Sequence, residues 1–171
     1  ECCDQAADKG IVQIANLNCP GQIVIAGEAA AVDRASELAL EKGARRCVPL
    51  PVSGPFHTKF MEPAGKALGK VFAEAKFHPM NYPVLFNAVG REKSEEETVA
   101  SLLVRQVSSS VHFEDSIKAM HAAGVDTIIE IGPGKALSGF VRKTCREIKT
   151  INIESWEDMN KAVSDLKGEE A

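Results

Sequence analysis

The stretch Ile11-Val-Gln-Ile-Ala-Asn-Leu-Asn-Cys-Pro-Gly-Gln-Ile-Val-Ile-Ala26 contains two short apolar runs with a polar break between them. Residues 11–17 and residues 22–26 have the composition of short strands. The break, Asn18-Cys-Pro-Gly21, consists of residue types that favour tight turns. We therefore predict a β-hairpin at this point of the chain.

The elements predicted on both sides of the hairpin extend it into an α/β unit. Residues 2–9 are predicted to be part of a helix. Apolar residues recur at helical spacing through residues 30–42, and Gly43 ends that helix. Residues 47–50 are predicted to form another strand. The order helix, strand, strand, helix, strand is that of a ferredoxin-like unit without its first, central strand. Residues 1–50 are therefore predicted to form a small ferredoxin-like subdomain.

In residues 51–171 the order of predicted elements is different, because helices and strands alternate along the chain. The motif Ser94-x-x-Glu97 is typical of a capping box at the start of a helix. The predicted elements are helices over residues 61–75, 94–107, 113–124, 135–146 and 154–167, and strands over residues 84–89, 127–131 and 149–153. This alternation predicts a parallel sheet. Residues 51–171 are therefore predicted to be the C-terminal part of a larger α/β subdomain.

The composition restricts the class of protein. A chain of 171 residues with 44% hydrophobic residues can bury a core in one domain, or in a domain with a small subdomain. A net charge of −4 without long blocks of one sign argues against nucleic acid as a partner. No apolar run approaches the roughly eighteen residues that span a bilayer, so no membrane association is expected. The residues after Glu1 do not resemble a signal peptide, and Glu1-Cys-Cys-Asp4 is typical of the middle of a helix, so we expect a cut end there.

The cysteines indicate the cellular setting. Five cysteines are an odd number, none lies in a Cys-x-x-Cys pair, and their spacing is not that of metal ligands. We therefore expect a protein of the reducing cytoplasm, without a bound metal or cofactor.

The motif Ser53-Gly-Pro-Phe-His57 follows the apolar run of residues 47–52. Of the four histidines, only His57 is preceded by residues that fix an unusual backbone path in this way. A histidine in such a turn is suited to act as a general base. By residue type alone, a single loop histidine is more often a surface or packing residue, and both interpretations stay open at this point.

Four stretches together resemble a known family. They are Asn16-Leu-Asn-Cys-Pro-Gly-Gln22, Pro51-Val-Ser-Gly-Pro-Phe-His57, Val104-Arg-Gln106 and Glu130-Ile-Gly-Pro-Gly-Lys-Ala-Leu137. In this order and spacing they resemble about the C-terminal half of malonyl-coenzyme A:acyl carrier protein transacylases. The resemblance implies the C-terminal part of an α/β-hydrolase-like acyltransferase domain at residues 51–171, joined to the truncated ferredoxin-like subdomain at residues 1–50.

The resemblance also implies a function in fatty acid synthesis. Such enzymes move malonyl from coenzyme A to a serine, and then to the phosphopantetheine thiol of acyl carrier protein. His57 matches the general base, and Gln106 matches the residue whose main-chain carbonyl holds the imidazole. The serine in Gly-x-Ser-x-Gly, the oxyanion glutamine and the arginine that binds malonyl would lie in a missing N-terminal half. No Gly-x-Ser-x-Gly occurs in residues 1–171, so this fragment alone is expected to be inactive.

Further residues match substrate-binding positions of the family. Asn16, Asn18 and Gln22 match polar positions beside the acyl and pantetheine channel, although turn formation explains the two asparagines equally well. Phe56 matches a bulky aromatic that accompanies unbranched malonyl, and a packing role is the alternative. Ala136 follows a Gly-Pro-Gly turn that either faces the coenzyme or only joins a strand to a helix.

Two other functions stay open. The chain is alternatively the acyltransferase part of a polyketide synthase, although nothing in it resembles flanking modules. It is alternatively a non-catalytic module that binds the carrier protein. Basic residues near one predicted helix and on another suit an acidic partner or coenzyme phosphates, although each of them is alternatively a solvated surface residue. They are Lys42, Arg45 and Arg46 near the first helix, and Lys135, Arg142 and Lys143 on the second.

Overall fold

The computed structural model describes residues 1–168. The chain divides into two compact units, the first ending at Phe113 and the second beginning at Glu114. The predicted boundary after residue 50 is a different division and stays a prediction. Within residues 1–168, none of the helices combines the length and the apolar character needed to cross a membrane.

The predicted hairpin is confirmed and lies at the centre of the first unit. Strand β1 (Val12–Cys19) pairs antiparallel with strand β2 (Gln22–Gly27). Gly21 in the turn has φ of 75°, a left-handed conformation that costs glycine little because it has no Cβ atom.

Helices cover one side of this hairpin. The helix predicted at residues 2–9 is interrupted, since α1 (Cys2–Gln5) ends and a separate 3₁₀ turn (Ala7–Lys9) follows. The predicted helix after β2 is confirmed as α2 (Ala29–Glu41). These elements bury a small core that consists of Ala6, Val12, Ala31, Ala35 and Leu38.

Two predicted strands in the first unit are wrong. Residues 47–50 are extended but pair with no strand within residues 1–168, and Val48 and Leu50 are exposed. Pro49 and Pro51 have no backbone N–H, which removes the donors along one edge of this run, so it can pair with a strand only along its other edge. Residues 84–89 contain a single bridge, between Phe86 and Arg91, followed by turns.

The rest of the first unit contains α3 (Glu62–Glu74), α4 (Val99–Gln106) and the short strand β3 (Val111–His112), which runs parallel to β1. The predicted start of α4 is wrong. Thr98 is its N-cap and forms a capping box with Ser101, whereas Ser94 and Glu97 bond to each other in the preceding loop. Buried Gly65 of α3 lets this helix approach α4, since a Cβ atom there would lie 3.4 Å from the carbonyl oxygen of Val104.

An ion pair holds the loop before α4. Because of this ion pair, we expect the stability of the protein to depend on pH. Arg91 donates to both carboxylate oxygens of Glu97, at 2.8 and 3.3 Å, and the N–H of Ser94 donates to one of them. The Arg91 guanidinium and then the Ser94 backbone lower the pKa of Glu97 from 4.5 to about 2. A carboxyl group whose pKa is lower in the folded than in the unfolded state raises the free energy of unfolding at pH values above the unfolded-state pKa. This stabilisation is lost as pH falls through the folded-state pKa.

We therefore expect Glu97→Gln to be less stable than the parent at neutral pH, and the difference to disappear as pH falls from 4.5 toward about 2. Urea unfolding of both proteins across this range measures the effect. A difference that stays constant down to the lowest pH would contradict an ionic origin.

The second unit confirms the predicted parallel pair of strands. Helix α5 (Phe113–Ala122) begins at the boundary between the units, and strand β4 (Thr127–Ile131) pairs in parallel with β5 (Lys149–Ile153). Helix α6 (Ala136–Thr144) connects the two strands. Helix α7 (Trp156–Lys167) follows, with Ser155 and Asp158 forming its capping box.

Candidate functional site

His57 has an unusual backbone conformation. Its φ of 61° makes it the only non-glycine residue of positive φ within residues 1–168. The preceding turn maintains this conformation, because the N–H of Phe56 donates to the carbonyl of Gly54 at 3.0 Å. The hydroxyl of fully buried Thr58 donates to the carbonyl of Pro55 at 2.6 Å. Such a conformation costs roughly 1–3 kcal/mol and occurs most often where function requires it.

The imidazole of His57 is half-buried and contacts the end of α4. Its Nδ1 atom lies 2.9 Å from the main-chain carbonyl oxygen of Gln106, the last residue of that helix. The last carbonyls of a helix have no partner within the helix, so they are available to a donor from elsewhere. Because a carbonyl only accepts hydrogen bonds, Nδ1 is the donor in this contact, and in the neutral form of the ring the lone pair then lies on Nε2.

Hydrogen bonds hold the His57 segment against the hairpin. The N–H of Lys59 donates to the Gln13 side chain of β1 at 2.8 Å. The Ser110 hydroxyl, just before β3, donates to the carbonyl of Ile14 at 2.6 Å. The segment of His57 and the strand that follows α4 are therefore both tied to β1. A neutral imidazole fixed in this way is suited to take a proton from a hydroxyl or a thiol.

The structure brings His57 and Gln106 together, as the resemblance implies, while their catalytic roles stay predictions. Asn16 lies in β1 at the position where β3 pairs with it. Asn18 and Gln22 lie on either side of the hairpin turn and are both half-buried. Phe56 is 48% exposed beside His57. Ala136 is the first residue of α6 in the second unit. The substrate contacts of these residues also stay predictions.

Glu130 has a role that the sequence analysis missed. Its carboxylate accepts the N–H groups of Leu137 and Ser138, at 3.1 and 2.7 Å, and the Asn152 side chain at 3.0 Å. Burial alone would raise the pKa of Glu130, but the hydrogen bonds from Ser138, Leu137 and Asn152 outweigh it and hold the pKa below its ordinary value. Glu130 therefore caps α6 from the end of β4. An acidic residue at the end of a predicted strand, two positions before Gly132-Pro-Gly134 and a predicted helix, was the available signal.

We expect Glu130→Gln to lower the free energy of unfolding of the second unit by about 1–3 kcal/mol, since an amide has one acceptor oxygen where the carboxylate uses two. Because the pKa of Glu130 is lowered in the folded state, the parent should be more stable than the variant at pH values above the unfolded-state pKa. This difference in free energy of unfolding should shrink as the carboxylate is protonated at lower pH. Urea unfolding at neutral and acidic pH measures both effects. Equal stability at neutral pH would show that the cap contributes nothing.

The sequence of the chain matches a known protein family. Residues 1–167 match the model of the acyl transferase domain. The chain belongs to the acyl transferase domain family. Malonyl CoA-acyl carrier protein transacylase of Bacillus subtilis is 46% identical over 167 residues, which are 97% of this chain and 53% of that protein.

Solved structures of acyl transferases are similar to the structure of this chain. Malonyl CoA-acyl carrier protein transacylase from Clostridium perfringens superposes with a TM-score of 0.92 at 40% identity, covering 98% of this chain and 52% of that one. A malonyl-transacylase in complex with its type II polyketide synthase acyl-carrier protein has a TM-score of 0.90 at 32% identity, covering 96% and 53%. The chain thus spans about half the length of the acyl transferases that it matches.

Proposed function

We propose that the protein containing residues 1–171 transfers malonyl from coenzyme A to the phosphopantetheine thiol of acyl carrier protein. The hydrogen bond between His57 Nδ1 and the Gln106 carbonyl carries this proposal, because it leaves Nε2 as the proton acceptor that an acyl transfer requires. The names of the relatives supply the substrates. The nucleophilic serine would come from a part of the protein that precedes residue 1.

In the proposed first step, Nε2 of His57 removes the serine proton while the serine oxygen attacks the malonyl thioester carbon. The carbon–sulfur bond then breaks, and the imidazolium returns its proton to the sulfur of coenzyme A. In the second step, Nε2 takes the proton of the phosphopantetheine thiol, which attacks the acyl-serine ester. The ester carbon–oxygen bond breaks, and the proton returns to the serine. The Gln106 carbonyl would stabilise the imidazolium in both steps.

The hairpin residues Asn16, Asn18 and Gln22 are proposed to line the acyl and pantetheine channel, and Ala136 is proposed as a further substrate-binding residue. The proposed ferredoxin-like subdomain agrees with the order of α1, β1, β2 and α2. A central first strand, supplied by the preceding part of the protein, would lie between β2 and the extended residues 47–50. We further propose that the protein acts in fatty acid synthesis in the cytoplasm.

Phe56 is proposed to limit the substrate to unbranched malonyl, because it directly precedes His57 in the chain and its side chain is exposed. A single methyl is worth roughly 1–3 kcal/mol in an apolar pocket, so Phe56→Ser should reduce the preference for malonyl over methylmalonyl by about 10- to 200-fold at most. The ratio of kcat/KM for the two coenzyme A esters measures this. An unchanged ratio with surviving malonyl turnover would leave Phe56 with a packing role only.

Malonyl transfer by the intact protein tests the function directly. Incubation with radiolabelled malonyl-coenzyme A should label a serine of the protein, and added holo acyl carrier protein should remove that label as malonyl carrier protein. Residues 1–171 alone should give neither product, because they contain no Gly-x-Ser-x-Gly sequence. Binding of the carrier protein without any serine acylation by the intact protein would instead support a non-catalytic binding module.

A further inference from the structure

A second cluster of reactive side chains lies in the second unit, separate from His57. His121 belongs to the last turn of α5, and Cys145 follows the end of α6. Glu147 lies in the connection between α6 and β5. One ligand atom from each of these three residues lies within 4.8 Å of the other two. The end of α5 and the connection that follows α6 thus bring an imidazole, a thiol and a carboxylate close together.

The local structure fixes the position of the thiol. Cys145 is only 8% exposed, whereas His121 and Glu147 are exposed. The thiol donates a hydrogen bond to a carboxylate oxygen of Glu147 at 3.0 Å. The cluster is therefore anchored in the interior by its sulfur atom and opens to solvent through its nitrogen and oxygen atoms.

The donor atoms suit a particular class of ion. Nitrogen, sulfur and oxygen ligands together select borderline-soft divalent ions such as Zn²⁺, whereas Mg²⁺ and Ca²⁺ require oxygen ligands only. Around a tetrahedral zinc ion, bond lengths of 2.0–2.3 Å place neighbouring ligand atoms roughly 3.3–3.7 Å apart. The Cys145 sulfur and a Glu147 carboxylate oxygen are already 3.0 Å apart, and no ligand atom of the cluster is more than 4.8 Å from another, so a shift of about 1 Å reaches this spacing. Rotation of the exposed His121 and Glu147 side chains supplies that movement.

We propose that His121, Cys145 and Glu147 form a binding site for a divalent transition metal ion of the zinc type, with water as the fourth ligand. Binding breaks the S–H bond of Cys145, forms a sulfur–metal bond and releases the proton to solvent. The ion would connect the ends of α5 and α6 with the start of β5. It would therefore stabilise the second unit against unfolding, independently of the proposed acyl transfer.

Cobalt(II) is the probe that tests this site, because a thiolate bound to it gives an intense near-ultraviolet charge-transfer band. The intact parent protein, titrated with Co²⁺, should develop this band, and equimolar Zn²⁺ should remove it. Cys145→Ser should abolish the band. His121→Gln and Glu147→Gln, which alter exposed side chains and should leave the fold intact, should each weaken Co²⁺ binding by at least about tenfold, since even the loss of an outer-shell partner costs 10–100-fold.

Matched controls remove the same functional groups elsewhere. Cys47→Ser removes an exposed thiol and His78→Gln an exposed imidazole, and both variants should keep the parent band and affinity. Zn²⁺ should raise the midpoint of thermal unfolding of the parent and of both controls, and should raise that of His121→Gln by clearly less at the same concentration. A parent without the charge-transfer band, a band that persists in Cys145→Ser, or unchanged affinity in both His121→Gln and Glu147→Gln would each overturn the proposal.

Discussion

Replacing His57 by alanine in the intact protein should slow acylation of the serine by malonyl-coenzyme A by about 10²–10⁴-fold. The variant loses the Nε2 lone pair that the Nδ1–carbonyl contact presents for proton removal. A serine hydroxyl is a weak nucleophile while it keeps its proton, so the acyl-enzyme would form only slowly. Rapid-quench measurement of acyl-serine at saturating malonyl-coenzyme A isolates this step from the later transfer to acyl carrier protein.

Two other variants separate catalysis from packing. His78→Ala removes an exposed histidine outside the site and should keep parent rates. Gln106→Ala should cost much less than His57→Ala, because the contact to His57 uses the main-chain carbonyl and survives loss of the side chain. A His57→Ala protein that folds normally and acylates at nearly the parent rate would remove His57 from the proposed mechanism.

Gly27→Ala should destabilise the first unit by about 3 kcal/mol or more. A Cβ atom at residue 27 would overlap the carbonyl oxygen of Ile11 and lie 2.7 Å from the Cα atom of Val12. The backbone has little room to separate, because the N–H of Glu28 donates to the same Ile11 carbonyl at 2.8 Å. The Glu28 carboxylate also accepts the Ile11 N–H at 2.8 Å. Urea unfolding, followed by circular dichroism, gives the change.

Gly69→Ala is the matched control within the same unit. Gly69 lies inside α3, where an added Cβ atom would make an ordinary contact of 3.6 Å with the Val104 side chain. Alanine favours a helix interior over glycine by roughly 0.5–1 kcal/mol, so this variant should be as stable as the parent or slightly more stable. Equal stabilities for Gly27→Ala and the parent would mean that β1 and β2 separate here at little cost.

Elements defined by local patterns were predicted well. The two short apolar runs and the Pro-Gly turn predict the hairpin, and helical spacing up to Gly43 predicts α2. The apolar strand before Gly132 likewise predicts β4, which pairs with β5 as expected. Residues 47–50 show the limit of such patterns, because an apolar composition favours an extended backbone but cannot supply a partner strand. Ser94-x-x-Glu97 shows the same limit, since its groups bond to each other in a loop while Thr98 caps the helix.

By itself, the sequence determined the hairpin, most of the helices and the position of His57 after a Gly-Pro turn, because these depend on residues close together in the chain. The resemblance of four motifs added the pairing of His57 with Gln106. Only the tertiary structure decided that Glu130 caps α6 and that His121, Cys145 and Glu147 meet at one point. These contacts join residues of different elements, β4 with α6 in the first case and α5 with the connection after α6 in the second. Their geometry depends on how whole helices and strands pack, which no local pattern of residues encodes.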